Sequence, residues 1–506
     1  MKHEKLNEAL CQLQDQHIAE AARYKKRKPI RWIGPIAAVL ALAILVGAIW
    51  RPMAPAPDTL QLSGNSQDSD RVPDIQLEHR DPDAQDYIPL LQLSCQVAGA
   101  QYPKMTKNPE IPNGGDYEAW WQDRLTLHTQ PEGYADSLDD FWTELDSAVL
   151  SGADGSNVTC SPVNIYMALS MLAEITDGES RQQILDVLGS GSIEALRTQA
   201  KHVWQGHYNN DQLSTSILAN SLWLQENYGF NMETANFLAA NYYASVFEGD
   251  LGSQKMNEAL KTWLNQETGG LLNDQIQNVS MDPNTVLALA STIYYQVQWA
   301  NKFAEENNTE GTFHGAKGDT TAEFMNKTLT YGPYYWGEHF GAVALGLEDG
   351  SRMWLFLPDE GVAPEEIVEE VHDFLQKHPH HYNSGYENQK YIRVNLSLPK
   401  FDISADLRLE QTLMDMGITD VFDVAKADFT PILLNDDEGY ISNVKHAARV
   451  TIDEEGVTAA AFTLILRCGS AMPPDDEVDF VLDRPFLFCV ESEDDLPLFT
   501  GIVNEP

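Results

Sequence analysis

Basic residues are scarce in this chain: 33 Lys and Arg stand against 76 Asp and Glu over 506 residues, a formal charge of −43. A surface of that sign repels a phosphate backbone, which argues against nucleic-acid binding, and it favours solubility and rapid encounter with basic partners. The plainest reading is a solvated acidic surface with no partner implied. Cysteine is equally sparse. Cys11, Cys95, Cys160, Cys468 and Cys489 have no close spacing, so they form neither a disulfide framework nor a CxxC or Cys/His metal pattern. Isolated thiols point to a fold held together by its core, with no metal and no cofactor expected. There is no internal repeat and no regular strand–helix alternation, which argues against a doubly wound sheet. Long apolar runs are absent, with one exception.

That exception lies between Arg31 and Arg51, where the 19 residues from Trp32 to Trp50 carry no charge. At about 1.5 Å per residue, a helix of that length just spans a hydrocarbon core. A tryptophan stands at each end, as in an interfacial belt. Residues 1–31 carry eight Lys/Arg against four acids, a bias that predicts a cytoplasmic N-terminus. Residues 32–50 are therefore expected to be a single-pass signal anchor in the cell membrane, with everything beyond outside. A cleaved signal peptide would have a shorter apolar core nearer the start, and the prolines around Ala54 and Ala56 suit a peptidase poorly. Residues 51–135 read as an extracellular linker, partly disordered, where cleavage would release the rest. Its first part, 51–87, is rich in Pro, Ser and acids. Its later part, 88–133, includes Ile88-Pro-Leu-Leu and Trp120-Trp121, apolar enough to dock on a domain but without regular period.

From Asp136 to the C-terminus at 506 the pattern is globular. Phe141, Leu145, Val149 and Leu150 have helical spacing, and Ser161-Pro162 opens a second helix over 163–172, where Pro suits the first turn. Residues 216–224, 286–295, 353–357, 393–398 and 486–490 read as buried strands. Helices concentrate early and strands late, an α+β arrangement.

The stretch from Asp453 to Thr463 is unusual. An acidic start leads to Gly456, Val457 and Thr458, then to Ala459, Ala460 and Ala461. Small residues in series fit a crowded space between strands where large or charged ones would not. In a strand, Val457, Ala459, Ala461, Thr463 and Ile465 would share one face, and Thr458, Ala460, Phe462, Leu464 and Leu466 the other. Neither face carries a charge or a proline, so insertion into a sheet would bury no unpaired ion and lose no ladder donor. On composition alone, an ordinary apolar strand after a glycine turn fits as well.

This stretch resembles the hinge of a serpin reactive loop, and other segments resemble that family in the same order. They include Asn220-Ser-Leu-Trp-Leu224, Trp263 to Asp274, Ile293 to Trp299 with Phe303 and Phe313, Phe356-Leu-Pro-Asp359, Leu398-Pro-Lys-Phe401, Met416 to Phe422, Arg484 to Phe488 and Leu498 to Val503. The resemblance covers 136–505 and, with the anchor, is to a membrane-anchored, bacterial member. It implies helices around three β-sheets with an exposed reactive-centre loop. It implies an inhibitor, not an enzyme: an extracellular serine protease attacks the loop, the hinge inserts, and the covalent acyl complex is trapped. A monomer is expected. The hinge would comprise Glu454, Gly456, Val457, Thr458, Ala459, Ala460 and Ala461. Family spacing from Gly456 puts the reactive bond at Ser470–Ala471, with Arg467–Cys468 as the rival. Small residues there suit elastase-like or subtilisin-like targets, whereas Arg467 would suit a trypsin-like pocket. Ser161, Trp299 and His446 match the family's sheet-opening region, and Ser291 stands where members usually carry an asparagine that bonds across the sheet. Phe462 is bulky where the family prefers a small residue. Those two departures are what a non-inhibitory binding or carrier protein of the same fold would show.

Catalytic readings are weaker. Cys468 has no helix start or nearby histidine to activate it. His372, His378, His380 and His381 cluster around Pro379, but a solvated loop explains them better than a metal.

Overall fold

The computed structural model describes residues 93–109, 115–211, 213–270, 272, 275–283, 285–377, 388–434, 439–441, 444–457 and 476–506. The proposed anchor at 32–50 lies outside them. Among the described residues, no helix is long and apolar enough to cross a membrane.

Residues 139–150 form a helix whose first turn carries Asp139 and Asp140, where carboxylates favour the positive end of the dipole. Its buried face is Phe141, Trp142, Leu145, Val149 and Leu150, the expected helical stripe. The next helix, Pro162–Ile175, starts on proline and is buried on every side except at Ala168. That pattern places it in the middle of the molecule, in contact with strands of both sheets.

The described strands form two hydrogen-bonded sheets. In the eight-stranded sheet the spatial order is Gln96–Ala98, Ala244–Gly249, Ser214–Gln225, Leu287–Gln298, Gly456–Val457, Lys445–Ile452 and Phe401–Arg408, with Asn209–Asn210 paired beside 214–225. The second runs Glu477–Val481, Gln389–Pro399, Gly318–Trp336, Phe340–Gly346, Arg352–Pro358, Phe486–Glu491, Pro497–Val503 and Val158–Cys160, with Thr309–Gly315 beside 318–336. Three sheets were expected. Two appear because the 19-residue strand Gly318–Trp336 runs on without a break, pairing with 309–315 near its start and with 340–346 at its end. The remaining expected strands lie where the apolar runs placed them, each extended by one to four residues at an end.

The helix Gln254–Glu267 covers one face of the eight-stranded sheet. Met256, Leu260 and Trp263 pack with Trp223 and Phe247 of the strands beneath. Burying such aromatic and aliphatic side chains stabilises the fold by roughly 1.5–3 kcal/mol each. The larger core lies between the two sheets around the 162–175 helix and includes the fully buried Trp204, Trp299, Trp354 and Phe486. Cys95, Cys160 and Cys489 are free thiols, and burial pushes each of them above the usual thiol range. Cys160 and Cys489 both stand opposite Thr500, on its two sides, so a whole strand separates them.

Candidate functional site

The site is an unfinished ladder. Leu287–Gln298 is paired along its full length on one side, Ser214–Leu224 opposite Leu287–Val297. On its other side, among the described residues, only Gln298 and Val297 have partners, Gly456 and Val457. The facing strand Lys445–Ile452 is in the same condition: its far side pairs fully with Phe401–Arg408, while towards the gap only Ile452 pairs, with Val457. A two-residue strand has thus started between two long ones, and the chain continues from it at Thr458. Each ladder bond contributes a net stability of about 1 kcal/mol. A strand running down this gap would bond on both sides.

Why the start holds there follows from its residues. An ideal Cβ on Gly456 would lie 2.3 Å from the Val297 carbonyl oxygen and 2.6 Å from the Gln298 Cα. Glycine is required by this close approach. The Asp453 carboxylate caps the turn by accepting from the Glu455 and Gly456 amides at 2.9 and 3.2 Å, and the Asp453 amide bonds the Gly456 carbonyl. Trp299, 1% exposed, donates from Nε1 to the Asp453 carbonyl at 2.8 Å and from its amide to the Glu455 carbonyl at 2.9 Å. Its ring meets Phe303 edge-on at 5.9 Å, and the Lys327 ammonium lies over Phe303 at 5.2 Å.

Glu454 faces the other way. Its carboxylate accepts from Lys400 at 2.7 Å and from Asn308, while Lys400 also reaches Glu323. Burial alone would raise the Glu454 carboxyl; the bonds from Lys400, its backbone and Asn308 outweigh that and hold it below the usual range. Because the Glu454 side chain is only 15% exposed, reversing its charge should be costly. Glu454→Lys places two ammonium groups together and is expected to lower stability by about 2 kcal/mol, whereas Glu454→Gln loses about half as much. Urea midpoints of the two variants check this; equal midpoints would remove the charge argument.

Further down the gap lie the other expected residues. His446 is buried on the 445–452 strand, and its Nε2 accepts from the Ser161 amide at 3.0 Å, just where the 162–175 helix begins. Burial pushes the imidazole down to about 4, so it is neutral. Ser291 donates to Asn220 Oδ1 at 2.7 Å, directly across the paired strand, and Asn220 donates to the Tyr242 carbonyl at 2.9 Å. The serine therefore bonds away from the gap. The Ser161 hydroxyl and the Asn164 amide nitrogen are buried without a hydrogen-bond partner. A cavity of about 60 Å³ lies here, lined by Asn164, Leu172, Leu287, Ser291, Val444 and His446 among others.

The structure thus brings Glu454, Gly456, Val457 and Trp299 together at one end of the gap and Ser161, Ser291 and His446 along it. Thr458, Ala459, Ala460, Ala461, Phe462, Arg467, Cys468, Ser470 and Ala471 lie outside the described residues. The sequence reading missed Lys400, Asn308 and Asn220; Lys400 sits within Leu398-Pro-Lys-Phe401, and its lone charge between apolar residues was the available signal. Of the histidine cluster, His378, His380 and His381 lie outside the described residues; His372 is buried against Asp146, with Nε2 3.3 Å from Oδ2, and no group of three metal-ligating side chains occurs among the described residues.

Residues 136–506 match the family model described as Serpin (serine protease inhibitor). Serpin-Z10 of Arabidopsis thaliana is 30% identical over 373 residues, covering 70% of this chain and 93% of that protein. Among solved structures, the native state of the thermophilic serpin tengpin has a TM-score of 0.64 at 24% identity, covering 75% of this chain and 95% of its own. Human thyroxine-binding globulin in complex with thyroxine has a TM-score of 0.62 at 22% identity, covering 75% and 99%.

Proposed function

The chain belongs to the serpin family, and on that premise we propose that it inhibits serine proteases by trapping them as covalent acyl complexes. One observation carries the reading: a gap in the eight-stranded sheet is bordered by two strands that are unpaired along most of their facing edges among the described residues, and the chain that begins to fill it at Gly456–Val457 continues with small, uncharged residues. The protease attacks the loop and forms an ester through its serine. The hinge then moves into the gap and carries the acylated enzyme away from its own catalytic geometry. An ångström of misplacement already costs about 100-fold in rate, so hydrolysis stops. This chain supplies no catalytic group. The proposed reactive bond is Ser470–Ala471, with Arg467–Cys468 second, and the proposed targets are elastase-like or subtilisin-like.

The remainder of the proposal concerns placement. Residues 32–50 anchor a monomer in the cell membrane with the inhibitory domain outside. Detergent, and not alkaline carbonate, should release the chain from membranes; carbonate release would refute the anchor.

A binding or carrier role is the second reading. It is favoured by a separate cleft of about 200 Å³ between the 139–150 and 368–377 helices, lined by Trp142, Asp146, His372 and Glu491. Residual activity of elastase-like, subtilisin-like and trypsin-like proteases, titrated with the purified chain, separates the two. Inhibition predicts one protease silenced near equimolar ratio, and mass spectrometry of the released C-terminal peptide then identifies the bond. A carrier predicts full activity of every protease at all ratios.

A further inference from the structure

Residues 93–109 and 115–128 precede the part of the chain that matches the family model, yet they pack onto it and contribute a strand to the eight-stranded sheet. Gln96–Ala98 adds a strand to the sheet's edge beside Ala244–Gly249, and Leu93 is buried against Trp223 and Phe247. Tyr102 lies parallel to Trp204, Tyr208 and Tyr243 at about 6 Å from each, and the Tyr208 hydroxyl donates to the Pro103 carbonyl at 3.1 Å. The expected linker is therefore docked over this part of its length. The helix Gly115–His128 brings the segment's one buried cation, Arg124, 7% exposed, to Asp211, which is fully buried.

Arg124 makes three bonds. Its Nη1 reaches Asp211 Oδ2 at 2.8 Å and Asn209 Oδ1 at 3.0 Å, and its Nη2 reaches the Asp349 carbonyl at 3.1 Å. Trp120 Nε1 adds a bond to the same Asp211 oxygen at 2.7 Å. The other Asp211 oxygen accepts from the Leu213 and Ser214 amides, fixing the turn that starts the 214–225 strand. Ser214 stands directly opposite Val297, which in turn stands opposite Val457. On the other arm, Asp349 lies in the hairpin between Phe340–Gly346 and Arg352–Pro358. That hairpin holds the same strand end: Tyr295 bonds Ser351 at 2.6 Å, the Glu348 amide bonds the Gln298 carbonyl at 2.9 Å, and the Ala300 amide bonds the Gly346 carbonyl at 2.9 Å. One guanidinium thus joins the two structures that hold the hinge-receiving end of the 287–298 strand, one from each side.

We propose that Arg124 is a positioning residue for loop insertion, and that the 93–128 segment acts as a latch holding the receiving end of the sheet in its intact-loop arrangement. The proposal rests on the inhibitory reading only in taking the gap as the place where the loop inserts. Without the tie, the Asp211 turn and the Asp349 hairpin move independently, and the gap beside the 287–298 strand widens before any protease cuts the loop. The intact chain then inserts its own loop and can no longer be cut there.

The test follows the uncleaved full-length chain during incubation at physiological temperature, reading the fraction that becomes both heat-stable and resistant to loop cleavage. No target protease is needed, so a failed inhibition assay and a failed latch give different results. Arg124→Leu leaves the buried Asp211 charge without its partner and risks misfolding. The double variant Arg124→Leu/Asp211→Asn removes the tie without an orphaned charge and decides the matter. It should convert at least about 10-fold faster than the natural chain, corresponding to about 1.4 kcal/mol off the barrier. Arg124→Lys, which keeps the charge and loses the fork, should fall between. Conversion of the double variant within twofold of the natural chain would overturn the proposal. Its failure to fold would do so too, because the tie would then be a requirement of the fold itself.

Discussion

The proposed trapping mechanism predicts that Ala459→Arg turns the chain from inhibitor into substrate. Val457 is 2% exposed and faces the core between the sheets. In an uninterrupted strand, Ala459 follows on the same face, so a fully inserted hinge would carry the new guanidinium into that core. Even after relaxation, an unpaired buried charge costs several kcal/mol. A loss of about 3 kcal/mol in the insertion step slows it by more than about 100-fold, while attack on the loop proceeds unchanged. Hydrolysis then wins the race. The loop should be cleaved at the same bond with no lasting loss of protease activity, measured by residual activity after one equivalent is consumed. Thr458→Arg tests the parity: its side chain leaves on the opposite face, so the two variants need not behave alike. Unchanged trapping by Ala459→Arg would show that this segment does not enter the sheet.

The second large effect is acid sensitivity centred on His446. Its folded-state value lies near 4 because it is buried, against about 6.5 in an unfolded chain. A depressed base of this kind contributes stability that is fully present above pH about 6.5 and is lost as the pH falls towards 4, because the unfolded state binds the proton first. The loss reaches about 3 kcal/mol. His207, also pushed down to about 4 by burial, adds a similar loss, whereas Glu267 and Glu491, pushed up to about 7 by burial, give a partial gain over pH 7 to 4.5. A difference measurement isolates His446. His446→Gln keeps an acceptor for the Ser161 amide and has no proton to take up. Its urea midpoint should converge on that of the natural chain as the pH drops from 7 to 4.5; parallel curves would refute the assignment. Because that amide starts the central helix beneath the gap, protonation should also loosen the gap itself.

Much of this was legible beforehand. The strands at 214–225, 287–298 and 352–358 announced themselves as apolar runs, since a strand buried on both faces has no polar alternation to obscure it. Gly456 was singled out as a hinge glycine; the structure adds that a Cβ there would collide with the Val297 carbonyl. The docking of 93–109 and 115–128 was legible only as apolar residues able to dock, at Trp120 for example; the pairing that fixes it was not. Arg124 and Asp211 are 87 residues apart, and the helix around Arg124 shows no regular apolar period, so its burial is decided by tertiary pairing alone. Nor was the pairing of Ser291 with Asn220: the direction in which a strand serine points depends on register, which the turn and the partner strand fix together. The joining of two expected sheets was not legible either, since the 19-residue strand runs on through Gly332-Pro333, a dipeptide that ordinarily marks a turn.

The claim on which all of this depends is that the loop, once cut, completes the sheet faster than water frees the protease. A denaturing gel of the chain mixed with each protease tests it most directly. The account predicts, for at least one serine protease, a band at the summed mass of the enzyme and the cleaved inhibitor, with the enzyme inactive. Clipped chain alone, from every protease that cuts the loop and with each enzyme still fully active, would contradict it.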